Sequence, residues 1–242
     1  DLAERARDIL AQVADFEERA RTEAHAGATE LRFGAIPTVG PFLLPRALPM
    51  LRAERPRTQF YLREELTDQL VAGLLDGRLD LILIALPHDL PSSVETEVLF
   101  DDGYSLATPR EHPLANLDQV EGADLEGRDL LLLERGHCLQ QHALSSVPGV
   151  DLGQDETFAA TSLPTLVAMV EEGLGVTLLP GLATDAGLAT GHSLHLSQLV
   201  GATPRRVALA WRRSSAKADL FHEIASVMRR ARASLHGTEE RL

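Results

Sequence analysis

Between Leu31 and Leu86 the hydrophobic pattern changes period repeatedly, and this alternation constrains the fold more than any other feature of the chain. Leu31–Ile36 reads as a strand, Phe42–Arg52 as a helix and Thr58–Arg63 as a second strand. Thr67 stands where it can cap a helix over Asp68–Leu75, with Gly77 just beyond its end. The mostly apolar run Leu79–Leu86 suits a strand covered on both faces. Strand, helix, strand, helix, strand in this order predicts a mainly parallel sheet and an α/β fold.

A second cycle follows. Tyr104–Thr108 and Leu130–Leu133 are strand candidates separated by the turn-rich stretch Pro109–Arg128, and Leu139–Leu144 can begin a helix. Phe158–Ala160 reads as a short strand before Ser162, which can cap a helix over Leu163–Glu172. Gly173 and Gly175 can end that helix and turn the chain into Val176–Leu179. His195–Leu199 and Val207–Trp211 are further strands, followed by a long helix over Lys217–Leu235. Two Rossmann-like subdomains joined around Leu99–Gly103 and Thr203–Arg206 account for the pattern, with the last strand and helix returning to the first subdomain and a central cleft between the two. The expected division is 30–101 plus 206–242 for one subdomain and 102–205 for the other.

Ahead of them, Leu2, Ala6, Ile9, Val13, Phe16 and Ala20 recur at alternating spacings of four and three, opposite a charged face carrying Glu4, Arg5, Asp8 and Glu17. Residues 1–29 thus read as an amphipathic helix and linker, serving either as a helix packed on its own domain or as a connector used in dimerisation. The pattern begins within the helix at Asp1, and a preceding N-terminal segment is expected.

Composition narrows the function classes. The 242 residues carry a formal net charge of -13, which opposes nonspecific attraction to nucleic acid by this stretch as a whole. One cysteine rules out a disulfide scaffold and a four-cysteine zinc module within the chain. Neither a signal peptide nor a long apolar run is present, so a soluble cytoplasmic protein without membrane contact is expected.

That cysteine, Cys138, lies in Gly136-His137-Cys138-Leu139, where an apolar strand ends and a helix can begin. A helix start and the neighbouring His137 can both favour the thiolate, the reactive form of the side chain. Two readings stand: an incidental structural thiol, or a reactive one whose histidine positions a reactant, biases ionisation or simply bonds to the backbone. Metal binding is not expected, since His137 and Cys138 supply two ligands at most, and no cofactor is expected.

Other polar residues share this ambiguity. Thr38, in Ile36-Pro37-Thr38-Val39-Gly40-Pro41, can bond a ligand or belong to an ordinary turn; Thr67 can cap its helix or orient a ligand oxygen. Ser162 reads as a cap that can also orient bound water, and Thr161 is a weaker contact. Arg205 and Arg206 precede an apolar strand and form either a solvated cationic edge or a source of one ligand-binding guanidinium.

Taken together, Ile36–Pro41, Glu65–Leu70, Gly136–Leu139, Ala160–Leu163 and Pro204–Arg206 resemble the regulatory part of the LysR-type peroxide sensors, the OxyR family. The resemblance runs from the connector helix to about Met228. It implies a two-subdomain module with a periplasmic-binding-protein-like fold, attached to an N-terminal winged helix-turn-helix domain that this chain lacks. By the same resemblance Cys138 is the peroxidatic cysteine, Thr38, Thr67 and His137 organise hydrogen peroxide or water, and Arg206, less closely Arg205, is the arginine near the strand entering the first subdomain. The implied partners are a second copy of the chain in a dimer or tetramer, promoter DNA through the missing domain, and RNA polymerase.

Two departures from the family pattern matter. Val147 occupies the position of the resolving cysteine, and the usual Cys-Leu-Arg continuation is Cys138-Leu139-Gln140. A one-cysteine sensor cannot close an internal disulfide, so oxidation of Cys138 to a sulfenic acid is the expected signal. The alternative is a LysR-type regulator that senses a small molecule or anion without redox chemistry, using Thr38, Thr67, Ser162 and Arg206. A cysteine peroxidase is a third reading; stoichiometric sensing, not enzyme turnover, is the expectation.

Overall fold

This computed structural model describes residues 13, 29–134, 139, 142–143, 146 and 154–236, the side chains of 154–159 and 236 excepted. The strands are β1 (Thr29–Ala35), β2 (Thr58–Glu64), β3 (Leu81–Leu86), β4 (Val94–Asp102), β5 (Tyr104–Pro109), β6 (Gln119–Val120), β7 (Leu130–Leu133), β8 (Gln154–Ala160), β9 (Thr177–Pro180), β10 (Leu194–Leu199) and β11 (Arg205–Arg212). The helices are α1 (Gly40–Glu54), α2 (Thr67–Leu75), α3 (Leu163–Glu171), α4 (Gly181–Asp185) and α5 (Ala218–His236). Apart from Val13 and Thr29, the expected connector of residues 1–29 lies outside the described residues. The chain divides into one unit made of residues up to Phe100 and from Val207 onward, and a second unit, Asp101–Arg206.

In the first unit the sheet order is β2-β1-β3-β11-β4. β1 lies between β2 and β3, parallel to both, as the alternating pattern predicts. All six residues of β3 are buried, which explains why its sequence lacks polar alternation. Beside it, β11 is equally apolar: Val207 through Trp211 are each fully buried. α1 and α5 pack together, and Leu43, Ala47 and Leu51 of α1 and Phe221, Ile224 and Met228 of α5 are buried. Trp211 meets Phe221 with ring centroids 5.5 Å apart.

On the other side α2 comes very close to β1. A Cβ at Gly34 would lie 2.5 Å from Leu70 Cδ2 and 2.9 Å from Leu79 Cδ1, so the missing side chain is what allows the approach. One buried carboxylate fixes the strand edges here. Asp80 accepts from the Arg32 backbone NH at 2.8 Å, from Arg32 Nε at 3.1 Å and from Arg32 NH2 at 3.0 Å.

The second unit departs from the expected parallel arrangement. Its sheet runs β6-β10-β5-β9, and β5 is antiparallel to both β9 and β10; only the β10–β6 pair is parallel. β7 and β8 form a parallel pair, linked to the start of β9 by a bridge between Leu130 and Val176. There the Leu131 NH donates to the Val176 carbonyl at 2.8 Å and the Val176 NH to the Asp129 carbonyl at 3.0 Å. The structure therefore contains two mixed-sheet α/β units flanked by helices. The division between Phe100 and Asp101 falls within the expected joint Leu99–Gly103, and β4, Val94–Asp102, runs through it as one continuous strand.

Candidate functional site

Parallel strands deliver their following loops to one edge of a sheet, and ligands of open α/β sheets gather there. In the first unit Ala35 of β1 is in register with Glu64 of β2. Thr38 and Thr67 each follow three residues later, so both lie beyond the carboxyl ends of neighbouring strands. Thr38 occupies the turn before α1, where the Val39 and Gly40 NH groups donate to the Ile36 carbonyl at 3.0 and 2.9 Å; it is buried. Pro41 at the start of α1 needs no backbone donor there, so the turn leads directly into the helix.

Thr67 corrects the capping expectation. Leu66 holds the N-cap position of α2 with an extended backbone, and its NH donates to Gln69 Oε1 at 3.3 Å. Thr67 is consequently the first helical residue. Its buried Oγ1 has no hydrogen-bond partner among the described residues, an arrangement that carries a desolvation cost unless something else bonds to it.

The second unit repeats this edge logic. Leu133 of β7 is in register with Ala160 of β8, and the Glu134 NH donates to the Ala160 carbonyl at 2.9 Å. Cys138 follows β7, just as Thr161 and Ser162 follow β8. His137, Cys138, Gln140 and Val147 themselves lie outside the described residues. Their flanks are described: Leu139, His142 and Ala143 are helical and buried, and buried Ser146 donates through Oγ to the Ala143 carbonyl at 2.7 Å. Ser146 also accepts, through its carbonyl, from the Thr203 NH at 2.9 Å. Ser162 is an N-cap, accepting from the Thr165 NH at 3.4 Å with its hydroxyl 2.9 Å from Thr165 Oγ1; Thr161 is exposed.

The two arginines separate. Arg206 is exposed, but Arg205 is 1% exposed, so the solvated-edge reading fails for it. Arg205 Nε and NH2 donate to Asp102 Oδ2 at 3.0 and 2.9 Å. Asp102 Oδ1 accepts from the Leu182 NH at 2.7 Å, in the first turn of α4. The sequence reading missed this carboxylate, whose partner is far along the chain. Asp101-Asp102-Gly103 looks like a polar turn in sequence, and only its position after an apolar Val98-Leu99-Phe100 run hints at a strand end.

Elsewhere in this unit, Glu171 at the end of α3 fastens the turn before β10. Its Oε2 lies 2.6 Å from His192 Nδ1, and its Oε1 accepts from the Ser193 NH at 2.7 Å. The His192 contact, then the Ser193 NH, holds the carboxyl below its ordinary pKa. A depressed folded-state pKa stabilises the fold above the unfolded carboxylate value and loses that contribution as pH falls through the folded value. The melting-temperature difference between the unmodified protein and Glu171→Gln should therefore be present above the ordinary carboxylate range and shrink as pH falls below it.

Among the described residues no group of three histidine, cysteine or carboxylate side chains could hold a metal ion, and no helix is long and apolar enough to cross a membrane.

Residues 24–232 match the LysR substrate binding domain, and the chain belongs to this family of transcriptional regulators. Within it, the chain is an OxyR-like regulatory domain with a single cysteine. It is 37% identical over 228 residues to the hydrogen peroxide-inducible genes activator of Dickeya chrysanthemi, covering 94% of this chain and 74% of that protein. Against the probable hydrogen peroxide-inducible genes activator of Streptomyces viridosporus the identity is 39% over 236 residues, covering 97% and 75%. The reduced regulatory domain of OxyR2 from Vibrio vulnificus superposes with a TM-score of 0.76 at 33% identity, covering 84% of this chain and 95% of that one. Family membership makes this a regulatory domain and not an enzyme.

Proposed function

We propose that the chain senses hydrogen peroxide by oxidation of Cys138 alone. The observation that carries this reading is the position of the sole cysteine, five residues along the sequence from the last residue of β7, in a chain similar to peroxide-inducible activators. In the proposed step the thiolate sulfur attacks one peroxide oxygen, an S–O bond forms and the O–O bond breaks. Sulfur is oxidised to the sulfenic acid, while the departing oxygen is reduced and leaves as hydroxide, taking a proton to become water. Thr38, Thr67 and His137 are the proposed hydrogen-bonding groups for peroxide or water, and Arg206 the nearby cation; Gln140, Thr161, Ser162 and Arg205 are secondary.

With one cysteine in the chain, the oxidised state is a sulfenic acid or a mixed disulfide with an outside thiol. The proposed readout is a change in packing after Cys138 that shifts a homodimer or tetramer between arrangements. A winged helix-turn-helix domain preceding this chain would then meet promoter DNA differently and change its contact with RNA polymerase in the cytoplasm.

The test is intact-mass measurement after stoichiometric peroxide. A one-oxygen gain reversed by dithiothreitol, and absent from Cys138→Ser, is the expected result; no reversible adduct at Cys138 overturns the proposal. Thr67→Val adds a second test, because it removes a hydroxyl that has no partner among the described residues without changing side-chain shape. Its unfolding free energy should stay within about 1 kcal/mol of the unmodified protein. Its sulfenylation rate, followed by stopped-flow trapping, should fall roughly tenfold if that hydroxyl bonds to the reacting peroxide.

The same hydroxyl supports a second reading, a non-redox effector regulator that binds a small anion. Ligand-dependent thermal stabilisation retained in Cys138→Ser, together with no peroxide response in the unmodified protein, would favour it.

A further inference from the structure

A groove of about 570 Å³ opens in the first unit, lined by Glu30 and Arg32 of β1, Tyr61, Leu62 and Arg63 of β2, and Arg78 and Leu79 ahead of β3. It sits toward the amino end of β3, whereas Thr38 and Thr67 follow the carboxyl ends of β1 and β2, so it is distinct from the candidate peroxide site. Its volume suits a small organic molecule.

The lining has two different kinds of cation. Arg32 is held rigidly by Asp80, which is also 3.6 Å from Lys217 Nζ. Lys217 in turn donates to the Glu30 carbonyl at 3.0 Å, bracing the same wall. Arg63 and Arg78 are loosely placed: their nearest carboxylate contacts are 3.5 Å to Glu65 and 3.7 Å to Asp76, and their side chains are 66% and 57% exposed. Contacts of that length between exposed groups are weak and readily exchanged for a ligand carboxylate. Tyr61 and Leu62 are 51% and 43% exposed, leaving apolar surface beside these guanidinium groups. Arg32 is already neutralised by Asp80, so the two exposed guanidinium groups with exchangeable partners, Arg63 and Arg78, set the sign of the ligand.

We propose that this groove binds a small amphipathic organic anion, a carboxylate on an aryl or branched alkyl body. The carboxylate engages Arg63 and Arg78, and the apolar body lies along Tyr61, Leu62 and Leu79. The site does not depend on the peroxide reading, and the experiment is run in a Cys138→Ser background to keep the two apart.

Naphthoate is titrated into the protein while backbone amide shifts are followed by NMR, with neutral naphthyl methanol as the uncharged comparison. The expected result is saturable shifts centred on β1 and β2, with naphthoate binding at least tenfold more tightly than the alcohol. Arg63→Glu combined with Arg78→Glu should abolish saturation while leaving the melting temperature nearly unchanged, both side chains being exposed. No saturable shift, equal affinity for the alcohol, or unchanged affinity in the double variant overturns the proposal. Should the double variant fold poorly, Arg63→Gln alone provides the same comparison, with a weaker but measurable loss expected.

Discussion

Asp102→Ala is expected to lower the unfolding free energy by about 3–5 kcal/mol, because it strands a buried cation. The Arg205 side chain and the Asp102 carboxylate are both fully buried, and the acid accepts two guanidinium bonds as well as the Leu182 NH. Removing the carboxylate leaves the cation without its paired charge and the first turn of α4 without its acceptor. Equilibrium urea unfolding measures the loss. The sign should change character in the double variant Asp102→Leu with Arg205→Met, since exchanging a whole buried pair for apolar side chains of similar size is often neutral or stabilising. A double variant as unstable as Asp102→Ala would show that packing around the pair, not its charge, sets the effect.

Gly175→Ala should cost about 3 kcal/mol in the same experiment. Gly175 has φ of 156°, and a Cβ there would lie 2.5 Å from the Asp129 carbonyl oxygen, a backbone atom that cannot move aside cheaply. That carbonyl accepts the Val176 NH, so the clash falls on the connection between β7 and β9. Gly127→Ala is the matched comparison: its φ is 71°, but nothing lies within 4 Å of the added carbon, so a loss of only about 1 kcal/mol is expected. Because β7 leads into the Cys138 segment, Gly175→Ala should also alter the sulfenylation rate more than Gly127→Ala does.

The α/β alternation was legible because buried parallel strands and amphipathic helices differ in hydrophobic period. Leu79–Leu86 announced β3 by having no polar face, and Ser162 announced the start of α3 by its place before Leu163-Pro164. β4 was obscured by the charges in Val94-Glu95-Thr96-Glu97, because the glutamates of this edge strand are half-buried while Thr96 and Val98 are exposed, so its charged residues lie on the more covered face. Glu97 on that face is engaged by His222 and Arg229 of α5, contacts with no local signature. The antiparallel pairs of the second unit were missed for a related reason: strand periodicity reveals which face is buried but not which way a neighbour runs.

At the candidate site, residue type was more legible than geometry. A threonine before a helical run is a good cap candidate, yet a shift of one position gave that role to Leu66 and left the Thr67 hydroxyl without a partner among the described residues. Arg205 looked like half of a charged surface pair; a carboxylate more than a hundred residues earlier in the chain makes it part of a core. The chemistry proposed for Cys138 rests on its uniqueness and on the strand it follows, both readable directly from sequence.

The place of β11 in the first sheet has a consequence for biosynthesis. β11 lies between β3 and β4, so that sheet cannot close until the ribosome has delivered Arg205–Arg212, long after β1, β2 and β3 have emerged. The second unit is one uninterrupted stretch, Asp101–Arg206, available earlier. Contacts separated by so much chain form slowly. Vectorial synthesis thus favours an order in which the cysteine-bearing unit matures first, while the early strands of the other wait with exposed edges for their late-arriving neighbour.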